Sequence, residues 1–229
     1  MFFDYYYIVL VLPAVLVALF AQMNVKSTFN RYNKVSNSRG FTGASVARQI
    51  LDCNGLYHVP VERVSGQLSD HYDPKANVVR LSDATFNSTS VAALGVAAHE
   101  VGHAVQHSEK YSPIVVRNAI VPVCRIGSSL TMPLIILGLI VQWASLIYLG
   151  IALFGLATVF QLITLPVEFN ASKRALRTLE EYHVLDGGEL VGARKTLNAA
   201  ALTYVAALAV SLMQLLRLLL LFGGRGRRR

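Results

Sequence analysis

The sequence predicts a multi-pass α-helical membrane protein that carries a small α+β core outside its apolar helices. Three observations predict it. Hydrophobic residues fill 54% of the 229 positions and only 15% are charged, a balance beyond that of ordinary soluble domains. Several apolar stretches are long enough to cross a bilayer as helices. Between them stand two polar regions that hold most of the lysines and arginines, the first with short β-rich runs.

The first apolar stretch covers residues 5–23, and Tyr5, Tyr6 and Tyr7 make an interfacial anchor at its outer end. It has no basic leader and no small-residue cleavage pattern, so it reads as a retained anchor. In the polar region that follows, residues 41–51 predict an amphipathic helix ended at Asn54-Gly55. Residues 59–64 and 77–82 predict strands, and residues 68–74 a polar turn. The strand around 78–81 is the candidate free edge for an extended peptide, against a plainer role as an ordinary sheet strand packed on the helix. Residues 88–107 predict a helix, because Ser88, Thr89 and Ser90 offer caps and good helix formers follow without proline before Pro113. The apolar run 120–167 is too long for one crossing and predicts two helices joined near Gln142-Trp143-Ala144-Ser145. A last run, 198–222, is long enough to span and carries Arg217 near its end, where it is expected to snorkel to an interface.

Charge orients these segments. Ten Lys or Arg lie between Asn24 and Asn118 and five between Glu168 and Leu197, with none before the first span or at the hairpin tip. The positive-inside rule then places both polar regions in the cytoplasm and the N-terminus and hairpin outside. Arg225, Arg227, Arg228 and Arg229 run against the rule if the last segment spans. Either that segment lies along or re-enters the cytoplasmic face, or the tail is tolerated. The net charge of +8 reads as orientation signal and attraction to anionic lipid, so no nucleic-acid partner is expected. Cys53 and Cys124 form no CxxC pattern and read as free thiols. The resulting division is a helical anchor (1–23), a cytoplasmic core (24–118), a membrane hairpin (119–167), a cytoplasmic helix (168–197), a fourth apolar helix (198–222) and a basic tail (223–229).

The chemistry concentrates in His99-Glu100-Val101-Gly102-His103. Residues four apart share one face of a helix, so both imidazoles can grip one tetrahedral metal ion. Glu100 stands where a general base would take a proton from water. A catalytic zinc ion needs a third protein ligand. One continuation, HExxHxxGxxH, would put a glycine where Gln106 stands and its last ligand at Glu109, so the sharp turn lacks support. A glutamate from a separate helix is preferred, and Glu168 stands where a long apolar run gives way to a charged one. Its plainer role is to cap a helix begun by Pro166.

Further residues are candidates for touching substrate or supporting the ligands. His71, between Asp70 and Asp73, is a candidate oxyanion donor or cleft residue, against a plainer role as a loop histidine. His107 lies one turn beyond His103. Tyr182 and His183 are candidate oxyanion donors, and Arg174 a candidate partner for a substrate carbonyl or carboxylate. Asp73 and Asn170 join the same group.

The segments Gly66–Pro74, Val79–Ser82, Ala97–His107 and Pro166–Ser172 together resemble the YugP-type membrane-bound neutral zinc metallopeptidases of bacteria. The resemblance covers nearly the whole chain and implies a multi-pass zinc peptidase of the inner or plasma membrane. More distantly the chain is similar to HtpX-type quality-control proteases, in which a glutamate on a later helix is the third ligand. That likeness implies His99, His103 and Glu168 as ligands, Glu100 as base, and a zincin-like core of gluzincin type. The chain departs from it at Ser172, where the HtpX-type pattern has an aspartate. A serine can still hydrogen-bond a ligand histidine, with weaker support for want of charge.

The reading is therefore a Zn2+-dependent endopeptidase whose partners are the bilayer and membrane-associated protein or peptide substrates at the cytoplasmic face. Two other classes use the same residues: a zinc hydrolase or amidase acting on lipid or envelope precursors, and a membrane scaffold with an inert metal site.

Overall fold

The computed structural model describes residues 4–223, so the arginine tail from 225 to 229 lies outside the described residues. The protein is mostly helical with one small mixed sheet, and four of its helices are long and apolar enough to cross a membrane. The chain divides into two compact units. One takes the chain through Gln22, Val115–Pro166 and the chain from Thr203 onward; the other takes Met23–Ile114 and Val167–Leu202.

The apolar unit draws on four helices. A π-helical turn, Tyr7–Val11, leads into α1, Leu12–Tyr32. Helix α5, Ser112–Ile140, and α6, Ala144–Glu181, form the expected hairpin, and α7 covers Gly187–Phe222. At 38 residues α6 is about 57 Å long, well beyond the ~30 Å of a hydrocarbon core, so a crossing by it would leave one end outside the core. Pro166 sits inside α6 and starts no new helix, so the helix continues through the position where the chain passes from one compact unit to the other, next to the boundary expected at 167/168. Arg217 reaches towards the start of the first helix, the end where an interface is expected. Its Nε donates to Asp4 Oδ2 at 3.0 Å and its guanidinium lies 5.2 Å from the Tyr7 ring, a desolvated cation met by an anion and a π face. Leu218 and Phe222 pack with Ile135, Ile147 and Ile151 near the hairpin tip, and Tyr148 Oη donates to the Phe222 carbonyl at 3.2 Å. The last turns of α7 thus share a level with the hairpin tip and the start of the first helix.

The polar unit is organised around α4, Val91–Ser108. Ser90 caps it by accepting from the Ala93 amide, and most of its length is buried, as expected of a helix apolar on nearly every face. Helix α2, Gly43–Cys53, begins two residues later than the amphipathic pattern suggests because Thr42 and Ser45 form a reciprocal capping box. Val46, Ile50, Leu51, Leu81, Leu94, Val101, Leu179 and Leu185 form the shared core. The sheet comprises β1 (Val61–Val64), β2 (His71–Asp73) and β3 (Val78–Ser82), and a short helix α3 (Asp83–Phe86) leads on towards α4.

The strand order β1-β3-β2 corrects two expectations. Residues 71–73 are a strand and not part of a turn, pairing antiparallel with β3 in the register His71 to Arg80, Tyr72 to Val79 and Asp73 to Val78. Strand β3, expected to be the free edge, lies in the middle with β1 parallel on its other side. Its physical reason is burial on both faces: Val78, Val79, Leu81 and Ser82 are all inside, as in a central strand. The free edge on that side is β2.

Candidate metal centre

His99 and His103 sit one turn apart on α4, their rings 4.7 Å between centroids and nearly perpendicular at 85°. Glu168 comes from the C-terminal half of α6 and is 3% exposed. Its Oε2 lies 3.3 Å from His99 Nε2 and 3.6 Å from His103 Nε2. Metal-to-ligand distances of about 2.0–2.1 Å in a tetrahedron imply ligand-to-ligand edges of about 3.3 Å, so these three donors fit one small divalent ion. Among the described residues they form the one group of His, Cys, Asp and Glu able to converge in this way.

Backbone proximity makes the convergence possible. A Cβ on Gly102 would stand 3.0 Å from the Ala171 carbonyl oxygen and 3.3 Å from its Cα, so only glycine lets α4 and α6 lie this close. That contact falls between His99 and His103 on one helix and between Glu168 and Ser172 on the other.

The hydrogen-bond pattern also fixes where the imidazole protons sit. Gln106, wholly buried, places one side-chain atom 2.9 Å from the Val167 carbonyl, which can only accept, so that atom is the amide nitrogen. The same nitrogen donates to Asn170 Oδ1 at 2.9 Å. Gln106 Oε1 therefore faces His103 Nδ1 at 3.0 Å and must accept from it. With its proton held on Nδ1, His103 turns the Nε2 lone pair to the centre. Ser172 Oγ lies 3.1 Å from His99 Nδ1 and, as an acceptor, would hold the proton there in the same way. Burial works to strip His103 of charge, but the Glu168 carboxylate, aided by Glu100, prevails and raises its pKa above the ordinary imidazole value.

Glu100 is half-buried and accepts the Tyr72 amide proton at 3.0 Å through Oε2. Because a strand's N–H and C=O groups alternate between its edges, this bond shows that Tyr72 turns its amide away from β3 and towards the free edge. The Tyr72 hydroxyl donates to Asn77 Oδ1 at 2.7 Å, so His107 Nδ1, 2.9 Å away, donates to it in turn. His107 thereby braces the edge strand.

The other expected residues divide cleanly. Asn170 supports Gln106 and also accepts from Arg174 Nε at 2.8 Å, while Arg174 Nη2 pairs with Glu109 Oε2 at 2.8 Å. Glu109, the rival third ligand, is thus spent on an ion pair. The structure does not bring His71, Asp73, Tyr182 or His183 to the ligand atoms. His71 Nδ1 faces the Ser69 carbonyl at 2.8 Å. Asp73 accepts from the amides of Ala76 and Lys75 and from Arg80, which hold its pKa below the usual carboxylate range. Tyr182 meets Cys53, and His183 Nδ1 lies 3.7 Å from Asp186 Oδ1. Sequence reasoning missed Gln106 as a support and Tyr72 as the partner of Glu100. A buried glutamine one turn after the second histidine was the available signal for the first.

Two imidazoles and a carboxylate at these distances, with a second acid beside them, are the donor set of zinc hydrolases. Residues 7–223 match the family described as "Putative neutral zinc metallopeptidase", and the chain belongs to that family. It is 50% identical over 216 residues, 94% of this chain and 96% of the relative, to "Putative membrane protease YugP" of Bacillus subtilis (strain 168). No solved structure gives a significant match.

Proposed function

We propose that this protein is a zinc-dependent endopeptidase of the plasma or inner membrane, of gluzincin type, that cleaves membrane-associated proteins at the cytoplasmic face. The observation that carries the reading is the meeting of His99, His103 and Glu168 beside a Glu100 that also touches the edge of the sheet.

His99, His103 and Glu168 hold the ion, and Ser172 and Gln106 aim the two rings. A zinc ion held there would supply Lewis-acid chemistry, an acidified water and a polarised scissile carbonyl. Glu100 takes the proton from the attacking water through Oε1 and returns it to the leaving amine, while Oε2 keeps the Tyr72 amide. Strand β2 then offers its free edge to an extended substrate, and the Tyr72 carbonyl, on the same edge as its amide, accepts a substrate N–H. Specificity on such an edge comes from alternate side chains, main-chain bonding being sequence-blind. His71 and Asp73, on the same strand, lie beside the path of that peptide.

The topology follows from charge and from the α7 contacts. All four long helices cross, with the N-terminus, the hairpin tip and the end of α7 outside and the residues around the metal centre inside. Fifteen lysines and arginines in the two polar regions outweigh the short arginine tail that this arrangement leaves outside.

The test is metal analysis and cleavage of a model membrane protein by purified wild type and Glu100→Gln. One zinc per chain in both proteins, with cleavage only by wild type, supports the proposal. Equal cleavage by both, or a wild type that spares peptides and hydrolyses lipid amides, overturns it.

A further inference from the structure

The structure assigns a second site, unrelated to the metal centre: a cavity of about 420 Å³ between α1 and α7 that receives the phosphate headgroup of an anionic phospholipid. Its volume falls within the ~300–1,000 Å³ of small-molecule sites. Asn24, Thr28 and Arg31 line it from one face of α1 at helical spacing, with Tyr32 beside them. Lys195 and Asn198 line it from one face of α7.

The chemistry of this lining points to a phosphate group. Two cations, three neutral hydrogen-bonding side chains and one phenol converge, and no acid lines the cavity. Among the described residues neither Arg31 nor Lys195 has an ion-pair partner; of the arginines in the same unit only Arg194 shares this, while Arg39, Arg48, Arg63, Arg80, Arg174 and Arg177 are all paired. Arg31 is instead held over the Tyr32 ring at 5.5 Å, which leaves its N–H groups open. The wall is built, since a Cβ on Gly192 would come within 2.8 Å of the Tyr32 ring, and glycine there lets Tyr32 lie flat against α7.

Depth and polarity choose a lipid over free phosphate. The apolar run of α1 ends at Met23 and that of α7 begins after Asn198. At ~1.5 Å per residue, Lys195 stands about 4.5 Å outside the apolar boundary and Arg31 about 12 Å. Side chains lean towards their helix N-terminus, which on α1 brings Arg31 back towards the bilayer and on α7 carries Lys195 outward, so the two charges approach one level. Both charges then reach the headgroup layer, roughly 5–8 Å thick per leaflet. Ala199 and Leu202 continue the α7 wall as apolar surface on the membrane side, where glycerol and the first acyl carbons would lie. Basic pockets at the cytoplasmic ends of spanning helices are suited to such headgroups.

The test uses full-length protein, delipidated in mild detergent and titrated with phosphatidylglycerol, phosphatidylcholine or inorganic phosphate, with retained lipid counted by native mass spectrometry. Wild type should retain one phosphatidylglycerol at a concentration at least ~10-fold below that needed for phosphatidylcholine, with a melting temperature raised by ~3 °C or more. Arg31→Gln with Lys195→Gln should lose the preference, and Lys75→Gln with Lys110→Gln, equal in charge change but remote in sequence from the cavity lining, should keep it. Asn198→Trp, which fills the cavity and keeps both cations, should also lose it. Undiminished preference in the Arg31/Lys195 variant, or displacement of the lipid by an equal concentration of inorganic phosphate, overturns the assignment. Glu100→Gln protein should retain lipid as wild type does, so this result stands or falls apart from the catalytic reading.

Discussion

Replacing Gln106 with methionine isolates what the hydrogen bonds behind the metal centre contribute. Methionine fills nearly the same volume without a strong donor or acceptor, so packing changes little while three hydrogen bonds disappear. Two of the abandoned partners keep others: Asn170 Oδ1 still accepts from Arg174, and the Val167 carbonyl lies inside α6, where the helix ladder uses it. Only the His103 Nδ1 proton is stranded. One buried unsatisfied donor costs about 1–3 kcal/mol of stability. Loss of a group that orients a ligand histidine typically weakens metal binding by ~10–100-fold, about 1.4–2.7 kcal/mol. Zinc competition against a fluorescent chelator measures the affinity and thermal unfolding the stability. A Gln106→Met protein that binds zinc as tightly as wild type would refute the proton assignment and the supporting role of Gln106 with it.

Ser172→Ala should weaken zinc binding by removing the partner of His99, whereas Ser172→Asp, by adding charge behind the ring, should strengthen it; the same competition assay ranks all three proteins. Gly102→Ala should destabilise the polar unit and reduce zinc occupancy together, because the added methyl meets the Ala171 backbone at 3.0 Å and must push α4 from α6; unfolding midpoint and metal content are the measurements. Metal binding should release protons at neutral pH. The metal-free His103 pKa is raised, so a proton competes for Nε2 to higher pH than on a free imidazole, and affinity should climb as pH rises through that value and level off above it. Calorimetry in buffers of different ionisation enthalpy detects the release, and a buffer-independent heat would contradict it.

What was legible in the sequence was whatever a single segment encodes. The pair His99 and His103 follows from helical spacing alone, and the hairpin from a run of apolar residues too long for one crossing. Glu168 was legible for another reason: a lone carboxylate at the end of an apolar run is costly unless something there needs it. Gln106 failed to register because its partners lie 61 and 64 positions away, and the pattern gave it meaning only as a missing glycine. Strand β2 failed because three residues cannot display a period of two, and its own Asp73 with the flanking Asp70 and Pro74 spell a turn. Misplacing the edge followed from that, since a strand is an edge only by virtue of what does not pair with it, a property of the whole sheet. The consequence is specific to this protein. The candidate metal ligands, set on two helices that Gly102 brings together, are placed by local rules and one close contact. The surface that would present a peptide to them rests on three residues, tied down through Tyr72 to Glu100, Asn77 and His107. Since Glu100 holds the Tyr72 amide through Oε2 and keeps Oε1 for water, the proposed base and the edge strand are positioned together, and Tyr72→Phe, which cuts the tie to Asn77 and His107, should lower cleavage of a model substrate while leaving zinc affinity unchanged.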